Sequence, residues 1–117
     1  MKLFVATKAF ILREGNLLLL RESSNYKDGT ELGKWDVLEE SGLFITSSKI
    51  FDVCETFPVI HDEDCHIVRI YYLCTANGDV HLSGDHDAYE WVNPNDLGDK
   101  IVMEDVARLI KSLVATE

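Results

Sequence analysis

The chain has 117 residues, of which 46% are hydrophobic, and its 21 acidic against 11 basic residues give a formal net charge of -10. A chain of this length can bury roughly two-thirds of its unfolded surface, so residues 1–117 are expected to form a single domain. The negative charge argues against nucleic acid polymers and anionic membranes as partners, because both repel it. A small phosphorylated ligand stays compatible, since carboxylates bind phosphate through a divalent metal.

The cysteines and the N-terminus predict a cytoplasmic protein. Cys54, Cys65 and Cys74 are odd in number and lack metal-finger or redox spacing, which argues against a disulfide framework. The N-terminal apolar run is too short for a secretion signal, and no later run is long enough to span a bilayer.

The N-terminal third predicts a β-hairpin. Two apolar runs, Leu3–Leu12 and Leu17–Glu22, are separated by the tight-turn sequence Arg13–Asn16. β-branched and aromatic residues occur throughout the first run, which predicts a strand covered on both faces. A polar loop over 23–32 and a short strand over 34–37 are expected to follow.

The C-terminal half predicts further strands and one helix. A strand over 49–60 leads into an acidic loop at 61–64, a second strand covers 66–76, and Asn77-Gly78 predicts a tight turn that returns the chain into 79–83. A short strand at 89–92 precedes residues 102–113, whose apolar side chains recur at three- and four-residue spacing and predict an amphipathic helix. With only one clear helix, one face of the sheet is expected to be poorly covered.

The stretch LEESGL, residues 38–43, carries the candidate chemistry. Glu39 and Glu40 are adjacent carboxylates followed by Gly42. They fit the end of a helix with Gly42 as its C-cap. They also fit a ligand pair for a hard divalent ion, because Mg²⁺ prefers carboxylate oxygens together with substrate phosphates. The residues alone leave both interpretations open.

Four stretches of the chain match one enzyme family in order. They are KAFILREGNLLLLRES (8–23), GKWD (33–36), VLEESGL (37–43) and LSGDHDAYEWVNPNDL (82–97). The first resembles the opening hairpin of the Nudix hydrolase family, the second resembles the strand that leads into its catalytic box, and the third resembles the end of that box. The last is similar to a late segment in which an acidic residue and a His precede an aromatic strand. The resemblance implies an α/β (α+β) fold, a Nudix-type mixed β-sheet sandwiched by helices, here with the catalytic-box helix largely missing.

Compared with the family's box, the chain lacks a segment between Asp36 and Leu38. Roughly twenty residues of the pattern are missing, including the Gly-rich turn, the first Glu and an Arg-Glu pair. Val37 could belong to either side of the join. Three explanations stay open: the gene product contains a segment that this chain omits, the segment was removed by design, or the protein naturally lacks this helix.

The resemblance implies roles for individual residues. Glu39 and Glu40 match the family's Glu-Glu pair, which implies that they ligate Mg²⁺ or Mn²⁺ and so activate water for attack on a pyrophosphate phosphorus. Asp85 matches a late acidic position that serves as base or metal ligand. Trp35 matches a position beside the substrate cleft, and Arg21, which ends a strand, is the candidate contact to a phosphate.

The implied function is hydrolysis of the pyrophosphate of a nucleoside diphosphate linked to another moiety, impaired if the box is truly absent. The alternative is a non-catalytic Nudix-fold module that binds a nucleotide or a protein. The expected partners are a small phosphorylated nucleotide-type ligand and a second copy in a homodimer, since a soluble monomer seldom tolerates an uncovered apolar sheet face.

Two other chemistries are disfavoured. The run His61–His66 contains several metal-ligating types, but adjacent Cys65 and His66 do not match structural zinc spacing. The triplet Asp85-His86-Asp87 suggests acid-base work, yet no Ser or Cys lies in a recognisable nucleophile motif.

Overall fold

The computed structural model describes residues 1–23, 33–37, 44–82 and 86–115, and these form seven strands and one helix. In chain order the elements are β1 (Lys2–Arg13), β2 (Asn16–Glu22), β3 (Trp35–Asp36), β4 (Phe44–Thr56), β5 (Val59–Ile60), β6 (Glu63–Asn77), β7 (His86–Val92) and α1 (Glu104–Ala115). The mixed sheet with a C-terminal helix confirms the predicted fold class. Within these residues no helix is long and apolar enough to cross a membrane.

The parallel strands β1 and β6 form the centre of the sheet. Their pairing runs from Lys2 opposite Cys65 to Leu12 opposite Thr75, and β4 pairs antiparallel with the other edge of β6. β1 and β2 are joined by a two-residue turn in which Glu14 and Gly15 have φ of 53° and 81°. Both values lie in the left-handed region that such hairpin turns require, which confirms the predicted hairpin.

β1 separates from β2 soon after the hairpin turn. The two strands pair only at Leu12–Leu17 and Arg13–Asn16, after which β1 follows β6. β7 pairs with β2 from Leu17 to Glu22, and β3 pairs with Leu20 and Arg21. Because a strand has two edges, β3 occupies the edge of β2 that β1 leaves free.

Alternate residues of the central strands enter two cores on opposite faces of the sheet. The first core contains Phe10, Leu17, Leu19 and Tyr71, and α1 covers it with Val106, Leu109 and Ile110. The second core, on the other face, contains Ile11, Leu18, Leu20, Cys74 and Ala76. The three- and four-residue spacing in α1 places its buried side chains on one side, as the sequence predicts.

β1 is covered on both faces only in its C-terminal half. Phe10 and Ile11 are fully buried, whereas Leu3, Phe4 and Val5 are exposed. The prediction of a strand covered on both faces is therefore wrong for the first residues of β1. The reason is that both described cores contact the strand from residue 9 onward.

The prediction of a return strand after Asn77-Gly78 is wrong for residues 79–82. Gly78 does turn the chain, with φ of 105°, but these four residues form no strand. β1 and β4 already occupy both edges of β6 as far as Thr75 and Asn77. No edge is left for a returning strand, so the chain passes on to β7, which pairs with β2 instead.

Three predicted boundaries also shift. The strand expected over 49–60 is divided at Pro58 into β4 and β5, since proline has no N–H to donate. A two-residue turn at His61–Asp62 pairs Ile60 with Glu63, so half of the expected acidic loop belongs to β6. The helix begins at Glu104, two residues later than predicted, because Val102 forms a bridge to Trp35.

Candidate functional site

The end of β2 brings Arg21 and Trp35 together. These two sequence-predicted residues face each other in the β2–β3 ladder, and Arg21 Cζ lies 5.8 Å from the centroid of the Trp35 ring. Lys100, in the segment before α1, places its Nζ 5.3 Å from the same centroid. A cation within about 6 Å of an aromatic centroid is attracted by the ring quadrupole. Trp35 is half-buried and packs against the first core. Its remaining aromatic surface is contacted by two cations.

Both of these cations have carboxylate partners on β7. Arg21 Nε donates to Asp87 Oδ1 at 2.7 Å, and Lys100 Nζ is paired with Glu90. The hydrogen bond from Arg21 lowers the pKa of Asp87, and Asp87 raises the pKa of the guanidinium in return. Both partners of the Arg21–Asp87 pair are more than two-fifths exposed, so solvent and a ligand can reach them.

A more buried pair, Glu22 and His86, joins the end of β2 to the start of β7. His86 Nε2 lies 3.2 Å from Glu22 Oε1, and both side chains are almost fully buried. Burial raises the pKa of Glu22, and the neighbouring His86 opposes that shift. Among the residues that the structure describes, the buried Nδ1 atom of His86 has no hydrogen-bond partner. The pair with Glu22 fixes the position of His86, the residue directly after Asp85.

A second buried pair joins β1 to β3. Lys8 Nζ donates to Asp36 Oδ2 at 2.6 Å, and the backbone N–H of Val37 donates to Asp36 Oδ1 at 2.7 Å. Both carboxylate oxygens of Asp36 are therefore engaged. Asp36 orients the backbone at Val37, directly before residues 38–43.

A cavity of about 180 Å³ lies beside this pair on the α1 side of the sheet. Its lining residues are Lys8, Asp36, Thr56, Arg69, Tyr71, Met103, Glu104 and Asp105. A cavity of this size holds a few water molecules, whereas ligand pockets usually measure ~300–1,000 Å³. It is too small to take a nucleotide without rearrangement.

Comparison with known proteins finds similarity in structure and not in sequence. No protein-family model matches the chain, and no curated protein matches it either. The crystal structure of the MutT NUDIX hydrolase from Burkholderia pseudomallei superimposes with a TM-score of 0.75 at 20% identity, over 95% of this chain and 98% of that chain. The MutT protein from Methanosarcina mazei gives the same TM-score at 21% identity, over 98% of this chain and 95% of that one. The chain has the Nudix hydrolase fold.

A third solved structure with the Nudix fold contains a ligand. It is the NUDIX domain of Shewanella oneidensis NrtR, which was crystallised with ADP ribose. That domain superimposes with a TM-score of 0.68 at 12% identity, over 99% of this chain and 88% of that chain.

The metal ligands implied by the Nudix resemblance lie outside the described residues. This applies to Glu39 and Glu40, and also to Asp85. In the part of the chain that the structure describes, no three His, Cys, Asp or Glu side chains group together to hold a metal ion. Asp36 does not fit a metal ligand, because the Lys8 ammonium 2.6 Å from its Oδ2 already neutralises this carboxylate and would repel a cation. The side-chain oxygens of Glu39 and Glu40 are of the ligand type that a divalent metal site needs, since Mg²⁺ and Mn²⁺ bind carboxylate oxygens.

Sequence reasoning assigned no role to several residues at this end of the Nudix fold. They are Lys8, Glu22, Asp36, Asp87 and Lys100. For two of them the sequence pattern indicates a buried and therefore paired charge. Lys8 interrupts an apolar run, and Asp36 follows an aromatic residue in a short strand. Charged residues in such positions are seldom buried unless they are paired.

Proposed function

We propose that the protein is a Nudix-type hydrolase that cleaves the pyrophosphate of a nucleoside diphosphate linked to another moiety, with activity impaired by its incomplete box. The observation that carries this proposal is the aromatic surface of Trp35 with Arg21 and Lys100 beside it. On a chain with a net charge of -10, two cations that converge on one aromatic ring provide a local site for an anionic ligand with a flat ring.

Each group of this surface suits one part of such a ligand. The indole of Trp35 can stack on a base, because every base has a π-face. The guanidinium of Arg21 can bind a phosphate with two parallel hydrogen bonds, and Lys100 can add a point charge. Arg21 would exchange Asp87 for the phosphate and Lys100 would exchange Glu90, so a ligand has to compete with two existing ion pairs.

The reactive groups in this proposal are Glu39, Glu40 and Asp85. Glu39 and Glu40 would hold Mg²⁺ or Mn²⁺, and Asp85 would accept a proton from the attacking water. A divalent metal bound there would supply a nucleophilic water at neutral pH and neutralise phosphate charge. The Lys8–Asp36 and Glu22–His86 pairs would support the site by fixing Val37 and His86, the described residues that border these segments.

ADP-ribose is the first substrate to test, because a Nudix domain with a similar fold was crystallised with it. Turnover of ADP-ribose would be measured with Mg²⁺, with Mn²⁺ and with chelator. We expect slow, metal-dependent hydrolysis that the double variant Glu39→Gln, Glu40→Gln abolishes, while Glu14→Gln, in the exposed hairpin turn, leaves it unchanged. Unchanged turnover in the double variant would show that neither Glu39 nor Glu40 belongs to the catalytic site.

The alternative function, a non-catalytic binding module, is favoured by one specific feature. The box lacks its first Glu and its Arg-Glu pair, and the buried carboxylate nearest to the join, Asp36, is already engaged by Lys8. Calorimetry with ADP-ribose and with nucleotides separates the two functions. Binding that is equal with and without Mg²⁺, together with no turnover, would favour the module. Absence of binding under both conditions would exclude the hydrolase with these substrates and the nucleotide-binding module, and would leave the protein-binding module.

A further inference from the structure

One face of the sheet carries a continuous set of exposed apolar side chains, here called the open face. Its exposed members are Leu3 and Val5 of β1 and Ile45, Ile50 and Val53 of β4. Between them lie the half-buried side chains of Val68, Ile70 and Tyr72 on β6. The register places these residues in rows across three strands, with Thr7, Ile70 and Val53 in one row and Ala9, Tyr72 and Ile50 in the next.

The open face is the side of β1, β6 and β4 that α1 does not cover. Neighbouring residues in a strand point to opposite faces, so Phe10, Tyr71 and Cys54 contact α1 while the open-face residues point away from it. A soluble monomer rarely exposes an apolar patch larger than a few hundred Å². A face of this kind therefore indicates an interaction surface.

Charge favours a second copy of this chain as the occupant. Among the open-face rows of the described strands the register places one carboxylate, Glu55, and its Oε2 lies 2.8 Å from Nε2 of His66 near one end. The chain as a whole carries a net charge of -10, so two copies repel each other through most other surfaces. The open face is where they can meet with the least repulsion.

Shape also favours a second copy. At one end of the open face Leu3 and Val5 are exposed. Further along the strands a hollow of about 250 Å³ is lined by Thr7, Ala9, Ser48 and Tyr72, and by Lys8, whose Nζ is held by Asp36. A two-fold axis that lies parallel to the sheets and reverses the strand direction would set Leu3 and Val5 of each copy over the hollow of the other, as an isologous interface requires.

The area is that of a small interface. Three strands ~4.8 Å apart and about 30 Å long give a flat footprint of roughly 450 Å² per copy. Counted from both copies this is about 900 Å² before the relief of the side chains is added, which lies below the ~1,200 Å² of standard interfaces and in the range of weak, reversible association. We propose that two copies stack their open faces, with the sheets ~10 Å apart as in a β-sandwich.

The experiment is sedimentation equilibrium of the purified full chain over a range of protein concentrations. We expect a dimer, and we expect Ile50→Asp to shift the mass to that of a monomer, because it would bury a carboxylate in an apolar interface. The matched control is Ile101→Asp, which should stay dimeric, since Ile101 is 67% exposed against 64% for Ile50 and lies outside the open face. A wild-type chain that is monomeric at every concentration would overturn the proposal.

Two further variants keep the test decisive. If Ile50→Asp does not unfold cooperatively, Val53→Lys replaces it as the second open-face change with the same expected loss of dimer. Lys49→Glu lies in the same strand, in register with Leu73 of the α1-side core, and should leave the dimer intact. Loss of the dimer in Lys49→Glu but not in the open-face variants would indicate pairing through the edge of β4 and would overturn the stacking of faces.

Discussion

Lys8 and Asp36 form an ion pair across the gap between β1 and β3, with Nζ 2.6 Å from Oδ2 and side chains that are 14% and 4% exposed. The two strands are not hydrogen-bonded to each other, so this contact is a direct side-chain link at the point where β1 leaves β2. It connects the central ladder to the short strand that leads toward Glu39 and Glu40.

Removal of Lys8 should destabilise the fold strongly. Lys8→Met leaves the carboxylate of Asp36 buried with no cation, and breaking a buried pair in this way costs about 3–5 kcal/mol. Urea unfolding would measure the loss in free energy. The control is Lys2→Met in the same strand, whose pair with Glu63 is 61% and 47% exposed, so the loss should stay below about 1 kcal/mol. Equal losses in both variants would show that the buried pair has no special role.

The stability of the fold should depend on pH through Glu22. Burial raises the pKa of Glu22, so the folded chain holds this proton more tightly than the unfolded chain does. Glu22 therefore stabilises the fold below its ordinary pKa of about 4.3, and this contribution is lost as the pH rises through the higher folded value. We expect Glu22→Gln, which cannot ionise, to gain in unfolding free energy relative to the wild type as the pH rises from about 4 toward neutrality.

The measurement for Glu22 is a series of denaturant titrations across that pH range. Glu14→Gln, in the exposed hairpin turn, serves as the control and should run parallel to the wild type. A difference between Glu22→Gln and the wild type that does not change with pH would contradict the proposed titration.

Phe10 should contribute more to stability than any exposed aromatic residue. It is fully buried, and its ring makes edge contacts with Phe51 and Tyr71 at centroid distances of 5.5 and 5.6 Å. Phe10→Ala removes these contacts and leaves a cavity, which typically costs about 3–5 kcal/mol. Thermal or urea unfolding would compare it with Phe57→Ala, whose ring is 61% exposed and should cost far less. Similar losses would mean that the first core is not centred on Phe10.

Nucleotide affinity should depend on the cations beside Trp35. Arg21→Ala and Lys100→Ala each remove one cation from the ring, and a loss of about 1 kcal/mol per variant, or roughly fivefold in Kd, is expected. Calorimetry with ADP-ribose measures this change. Lys49→Ala removes an exposed lysine on β4 and serves as the control. If all three variants bind equally well, the ligand does not occupy the Trp35 surface.

Local patterns were enough to predict much of the fold. The tight turn at Glu14-Gly15, the apolar runs of β1 and β2 and the apolar spacing of α1 depend only on neighbouring residues. A few residues of context were therefore enough to predict these elements, although not how β1 is covered. The missing return strand after Gly78 was not predictable in this way, since it depends on which strands already occupy the edges of β6.

The candidate site, like the fold, was predictable from the sequence only where it depends on local patterns. The position of Arg21 at a strand end and of Trp35 in a short strand followed from sequence, and the β2–β3 register places them opposite each other. The Lys8–Asp36 pair could not be foreseen, because it spans two strands that share no ladder. The same holds for Lys100, which reaches Trp35 only because Val102 bridges to that residue. The roles of Glu39 and Glu40 as metal ligands and of Asp85 as base or metal ligand remain predictions that rest on the family resemblance.

The parallel ladder between β1 and β6 has a consequence for how the protein is made. β1 is synthesised before the other described strands, but Cys65, the partner of Lys2, follows sixty-three residues later. The hairpin with β2 can close at once through its short turn, whereas the long ladder has to wait for most of the chain, and contacts so distant in sequence slow folding. Until β6 arrives, the backbone groups of the first half of β1 have no strand to pair with. A product that stops before Glu63 would therefore retain the hairpin but lose the centre of the sheet.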